Sequence, residues 1–260
     1  MHRQIPVPRA AAVVGASVLA AMLSAAPISA AEINVIAAGA VRGVVGDMIE
    51  SYSRETGQKF AFTIGPTGQL RSAIASGKPV DLIITSAPLM AELEAAGKIV
   101  PGSRIDLGRT GLGIVIREGT PPLDVSTPQA VKQALIKANT IAYTDPKLGG
   151  TSVEHLMKIA EGFGIKDEII RKGITATGGN DAAQKVADGN ADIAVVPISD
   201  IHAKAAKLAG PLPEAIQLWT VYAAAIPKSS ADPAAARAFV AALTGPAMRD
   251  RWAAAGWQPK

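Results

Sequence analysis

The sequence predicts an α/β protein with largely parallel strands, and three observations carry that prediction. Short apolar runs alternate with helix-length amphipathic stretches from residue 32 almost to the end of the chain. The 260 residues, 48% hydrophobic and 18% charged, allow one large domain or two lobes of ordinary size. The turns between strands and helices are small, Gly-bearing and hydroxyl-rich, as expected where helices begin at the ends of strands.

The elements follow in order. Residues 33–37 form a first strand that stops at Gly39, and residues 41–55 place Val41, Val44, Val45, Met48, Ile49 and Tyr52 close to the 3.6 period of a helix packed on a sheet. Residues 59–64 are a second strand, broken by Gly65, Pro66, Thr67 and Gly68. Helical spacing resumes over residues 69–76. The unit repeats as a strand over 80–85, a short helix over 89–96 ended by Gly97, and a strand over 112–117. Further on, residues 128–138 are helical, 140–143 a strand, 151–162 a helix, 181–188 a helix and 193–196 a strand. Residues 219–226 form a last strand, and helices over 234–243 and 247–255 close the chain.

Ahead of this lies a different grammar. His2, Arg3 and Arg9 precede an apolar run over residues 10–26, followed by Ser29, Ala30 and Ala31, which is the order of a cleaved export signal. Gly15, Ser17 and Pro27 make the run a poor permanent membrane span. Residues 1–31 are therefore expected to be a signal peptide cut before Glu32, which places the protein in the periplasm. Their removal takes away two Arg and no acid, so the formal charge of +4 falls to +2. That near balance, with only 4% aromatic residues, excludes a nucleic-acid binder. Zero Cys and three His exclude disulfides, thiolate chemistry and the common transition-metal cages, so no cofactor and no metal are expected.

Function is carried by the loops. Four strand-to-helix turns share one composition: residues 37–40, 65–68, 85–88 and 149–152. At the carboxyl ends of strands, helix starts offer unpaired N–H groups and a positive dipole end, which together hold an anion without a formal cation. Small residues let a ligand reach the backbone, and Ser or Thr adds a donor. Arg42 and Arg71 stand where either would reach a carboxylate at the rim of such a pocket. A hydrolase reads poorly from the same residues: Ser199, Asp200 and His202 are too close together for a triad, and Asp145 with His155 lacks a nucleophile elbow. No P-loop, dinucleotide fingerprint or zinc motif occurs. No catalytic residue is assigned.

Gly65 to Ala87 reads GPTGQLRSAIASGKPVDLIITSA, and with residues 37–40, 141–146, 186–196, Ser199, Asp200 and 254–257 it resembles the periplasmic molybdate-binding proteins of ABC importers over nearly the whole chain beyond residue 31. The resemblance implies a type II periplasmic binding protein fold: two α/β lobes joined by two crossover strands, with the ligand clamped between them. The crossings are expected near residues 108–113 and 219–225, giving lobe I over 32–112 and 222–260 and lobe II over 113–221. It further implies a monomer that delivers a small anion, molybdate or tungstate first, to a permease in the inner membrane. The implied ligand positions are Gly39, Ala40, Thr67, Gly68, Thr151, Ser152 and Pro197. Gly39 falls where the family carries a serine and Pro197 where it carries a tyrosine, so two side-chain donors are missing. Each charge-assisted hydrogen bond lost weakens binding of a tetrahedral oxyanion by roughly 1.5–3 kcal/mol, which keeps a di- or tricarboxylate open as the alternative ligand. A binding protein that presents its closed form to a membrane sensor is the remaining alternative to import.

Overall fold

The computed structural model describes residues 1–2 and 31–259, and the expected signal peptide lies almost wholly outside them. The chain opens with β1 (Ile33–Ala38), a 3-10 turn at Gly39–Val41 and α1 (Arg42–Thr56). It continues through β2 (Phe60–Gly65), α2 (Thr67–Ala75), β3 (Leu82–Ser86), α3 (Ala87–Ala95) and β4 (Ile105–Thr110). Next come β5 (Leu112–Arg117), α4 (Pro128–Lys137), β6 (Ile141–Thr144), α5 (Thr151–Gly162) and α6 (Lys166–Arg171). The chain then forms β7 (Gly173–Ala176), α7 (Gly179–Ala187), β8 (Ile193–Pro197) and β9 (Ala206–Pro211), and closes with β10 (Thr220–Ala225), α8 (Pro233–Leu243) and α9 (Arg249–Ala254).

These strands make two separate five-stranded sheets, ordered β2-β1-β3-β10-β4 and β7-β6-β8-β5-β9. Within each sheet four strands run in one direction and one runs against them: β10 against β3 and β4, and β5 against β8 and β9. The largely parallel expectation holds for four strands of each sheet, and the one reversed strand makes both sheets mixed. The cause is connectivity, because a chain that leaves a lobe and returns to it enters the sheet from the opposite end.

Central strands are buried on both faces. All of Leu82–Ser86 and Ile193–Pro197 are buried, which explains why they read as unbroken apolar runs rather than alternating ones. The first core gathers Val41 of the 3-10 turn and Val44 and Val45 of α1 against β1 and β3, as their spacing requires. Phe239 of α8 lies at its centre, with its ring centroid 5.3 Å from Tyr52 and 4.7 Å from Phe60. A second core packs Val131 and Leu135 of α4 and Val153, Leu156 and Ile159 of α5 on the other sheet.

The chain passes from the first sheet to the second at Gly111, between β4 and β5, and returns between β9 and β10. Nearly all of the stretch over 219–225 is β10, a full member of the first sheet. The return crossing is the segment 212–219. Gln217 ties the two crossings together: its carbonyl oxygen accepts from Leu112 N–H at 2.7 Å, and its amide donates to the carbonyls of Leu112 at 3.0 Å and Leu212 at 2.9 Å. Beside it the Arg109 guanidinium lies 4.7 Å above the Trp219 ring.

Candidate functional site

Between the sheets, at the carboxyl ends of β1, β2, β6 and β8, lies a cavity of about 290 Å³. Strand ends position its wall, because each parallel strand hands the chain to a helix at this level. Gly39, Ala40 and Arg42 enter from the first turn after β1, and Thr67 and Gln69 from α2. Gly150, Thr151 and Ser152 enter from the start of α5, Gly178, Gly179 and Asn180 from the start of α7, and Pro197 and Asp200 from the end of β8. Tyr222 of β10 completes the wall.

None of the four helical segments that start here is capped by a side chain, and the residues preceding them are Ala38, Pro66, Gly150 and Gly178. Elsewhere, α4 is capped by Thr127 and α8 by Asp232, while α3, α6 and α9 also begin without a side-chain cap. Helix starts without side-chain caps leave donors for a ligand and turn four positive dipole ends on one space. Arg42 adds a full positive charge. Asp181, the other acid at the mouth, is engaged by Thr177, whose N–H donates to it at 2.8 Å and whose hydroxyl donates at 3.1 Å. This wall suits an anion.

One wall group breaks the pattern. Asp200 is 3% exposed, and its Oδ1 is buried without a hydrogen-bond partner. Burial pushes its carboxyl up to about 7, against the opposing pull of Arg42. A Cβ at Gly179 would collide with Asp200 Oδ2, and one at Gly39 would lie 3.9 Å from both carboxyl oxygens. The small residues therefore let the carboxyl group lie close against the backbone. Burial and the nearby Asp200 charge push the Tyr222 phenol above its usual range, opposed by the Thr151 hydroxyl beside it.

Of the ligand positions expected from the sequence, Gly39, Ala40, Thr67, Thr151, Ser152 and Pro197 line this cavity. Gly68 does not. A Cβ there would collide with the Leu148 carbonyl oxygen, and one at Gly149 would lie 3.5 Å from Gly68 N, so Gly68 is where the backbones of the two lobes touch. Arg71 is likewise away from the cavity, paired at 2.8 Å with Glu92 on an exposed face. The turn over 85–88 is displaced from the wall as well, because β10 pairs with β3 there, Tyr222 opposite Ser86.

Neither acid–imidazole pair assembles. His155 Nε2 lies 2.8 Å from the Ile216 carbonyl, Asp145 accepts from Lys147 N–H, and the ring of His202 packs against Gly43. Sequence reasoning missed Asp200 and Tyr222 as wall residues. The position of Asp200 just past Pro197, at the carboxyl end of a buried strand, is the signal that could have found it. Among the described residues, no cluster of three or more His, Asp or Glu could hold a metal ion.

Comparison with known proteins adds context to this geometry. A profile of bacterial extracellular solute-binding proteins matches residues 33–258. Aconitate isomerase from a Pseudomonas species is 28% identical over 217 residues, which cover 80% of this chain and 80% of that protein. The molybdate-binding protein ModA of Azotobacter vinelandii is 29% identical over 184 residues, 69% of each chain. The solved periplasmic molybdate-binding protein of A. vinelandii shares the fold with a TM-score of 0.75 at 22% identity, covering 88% of this chain and 99% of that one.

Proposed function

The chain belongs to the bacterial extracellular solute-binding protein family, and from that premise we propose that it captures a small organic di- or tricarboxylate between its two lobes and delivers it to an ABC permease. On this reading the protein works in the periplasm after losing residues 1–31. The observation that carries the ligand class is the cavity wall: four helix starts without side-chain caps and one guanidinium around about 290 Å³, with Gly39 and Pro197 where the molybdate-binding pattern has hydroxyls. A cavity near 300 Å³ falls at the small end of the range for organic ligands. Helix starts hold tetrahedral oxyanions and carboxylates alike, but the carboxylates of one ligand are spread along a carbon chain and can each meet a separate helix start. The name of the Pseudomonas relative agrees, since aconitate is a tricarboxylate.

The two hydroxyls Thr67 and Thr151 and the likeness to ModA support a second reading, capture of molybdate or tungstate. A thermal-shift screen of citrate, trans-aconitate, succinate, molybdate, tungstate and sulfate separates the two. A ligand present at 100 times its dissociation constant stabilises the protein by about 2.7 kcal/mol. The carboxylate reading expects the largest shift from a di- or tricarboxylate. A shift from molybdate and tungstate alone would transfer the assignment to the second reading.

A further inference from the structure

We propose that Asp200 is a catalytic proton-transfer residue and that the cavity carries a bound unsaturated polycarboxylate through an allylic 1,3-proton shift. The proposal rests on the carboxylate reading and goes beyond capture: the bound ligand leaves as its isomer.

Asp200 is a misfit in the wall of an anion pocket. A cavity that only held a polyanion would exclude carboxylates from its wall or pair them, as Thr177 engages Asp181. Asp200 is instead 3% exposed, on the wall, with Oδ1 buried and unpartnered. The charged and titratable groups around it come from several elements: Arg42 on α1, Asp181 on α7, Tyr222 on β10, and His202 two residues further along. Among the described residues, none of them forms a salt bridge with the Asp200 carboxylate. A carboxyl held near neutrality by burial both takes and returns a proton at ordinary pH, which a solvated carboxylate does poorly.

The chemistry this allows requires no co-reactant. In a ligand such as trans-aconitate, a methylene carbon lies between one carboxylate and a carbon–carbon double bond. The Asp200 carboxylate takes a proton from that methylene, breaking the C–H bond, and the electron pair spreads over the allylic system and its carboxylates. The helix starts and Arg42 stabilise this added charge. Protonated Asp200, whose carboxyl proton exchanges with solvent, then gives a proton to the far allylic carbon, a new C–H bond forms, and the double bond has moved by one position. No atom or electron is gained or lost.

The test follows trans-aconitate by proton NMR in deuterated buffer with the purified protein. The expected result is growth of a second aconitate isomer together with deuterium at carbon-bound positions. Asp200→Asn should slow both by about a hundredfold or more, the usual weight of a general acid–base group, while calorimetric binding of trans-aconitate persists. Asp200→Glu, which keeps the carboxyl, should retain part of the rate. Bound trans-aconitate that neither isomerises nor exchanges in the wild-type protein would overturn the proposal and leave the carboxylate reading intact. Turnover that survives Asp200→Asn would also overturn it. Absence of calorimetric binding to the wild-type protein would overturn the carboxylate reading, and this proposal with it.

Discussion

Thr67 and Thr151 are each the first residue of a helix, and the two helices lie on opposite lobes, so one ligand between them meets a hydroxyl from each side. Thr67→Val keeps the branched shape and removes one donor, so ligand binding should weaken by roughly 1–3 kcal/mol, and Thr67→Ser should be nearly neutral; titration calorimetry reads both. Asp200 makes a prediction of the opposite kind, because its neutral form is favoured by the fold. Its carboxyl is raised from 3.8 to about 7, so its contribution to stability is fully present below about pH 4 and is lost as pH rises through 7. Other carboxylates, among them Asp81, act in the reverse sense. Asp81 is desolvated by burial, but hydrogen bonds from Asn34, Ala231 and Ser230 overcome this and hold its pKa below the usual value. The expected signature is therefore a difference. The melting temperature of Asp200→Asn relative to wild type should rise between pH 4 and pH 8, and a flat difference would show that Asp200 is ionised throughout. Around Asp200, Arg42 favours the charged form, and the lowered pKa of His202, caused by burial and Arg42, keeps a second positive charge away.

At the scale of the element, α2 does two things at its first turn: Thr67 faces the cavity while Gly68 touches the opposite lobe. The neighbour that a Cβ at Gly68 would strike is a backbone carbonyl, that of Leu148, which cannot rotate away. Gly68→Ala should therefore hold the lobes apart, lowering ligand affinity by tenfold or more with little change in the melting temperature of the ligand-free protein. A ligand affinity equal to wild type would show that the two backbones do not need to meet. The same element shows how far the sequence could be read. Helix periodicity and the Gly-bearing turn pointed to α2 and to Thr67, which lines the cavity, but Gly68 reads as one more small pocket residue, because its partner Leu148 lies 80 positions away. The strands missed by pattern were β4, β7 and β9: Ile105–Thr110 carries Asp106, Gly108 and Arg109, and β7 and β9 are edge strands of only partial burial. Edge positions relax the demand for apolar residues that makes a central strand legible.

For the whole molecule, the architecture was legible because alternating strands and helices and the long matching segment at 65–87 agree. The pairing of β10 between β3 and β4 was not, since a strand late in the chain gives no local sign of its neighbours. That insertion turns the residues at 85–88 away from the cavity and brings Tyr222 into it. Two further expectations belong to this scale. Intact-mass analysis of the exported protein should find a chain that starts at Glu32, and a protein retaining Met1 would contradict export with cleavage. Small-angle scattering should show a more compact particle when a saturating ligand is added, with Gly111 and the segment 212–219 bending and Gln217 holding the crossings in register. The central claim is that the two lobes hold a carboxylate ligand at four helix starts. The most direct measurement is calorimetric titration of the purified protein with trans-aconitate and, separately, with molybdate. The account predicts saturable one-to-one binding of trans-aconitate that Thr67→Val weakens and molybdate does not displace; tight molybdate binding with no heat from any di- or tricarboxylate would contradict it.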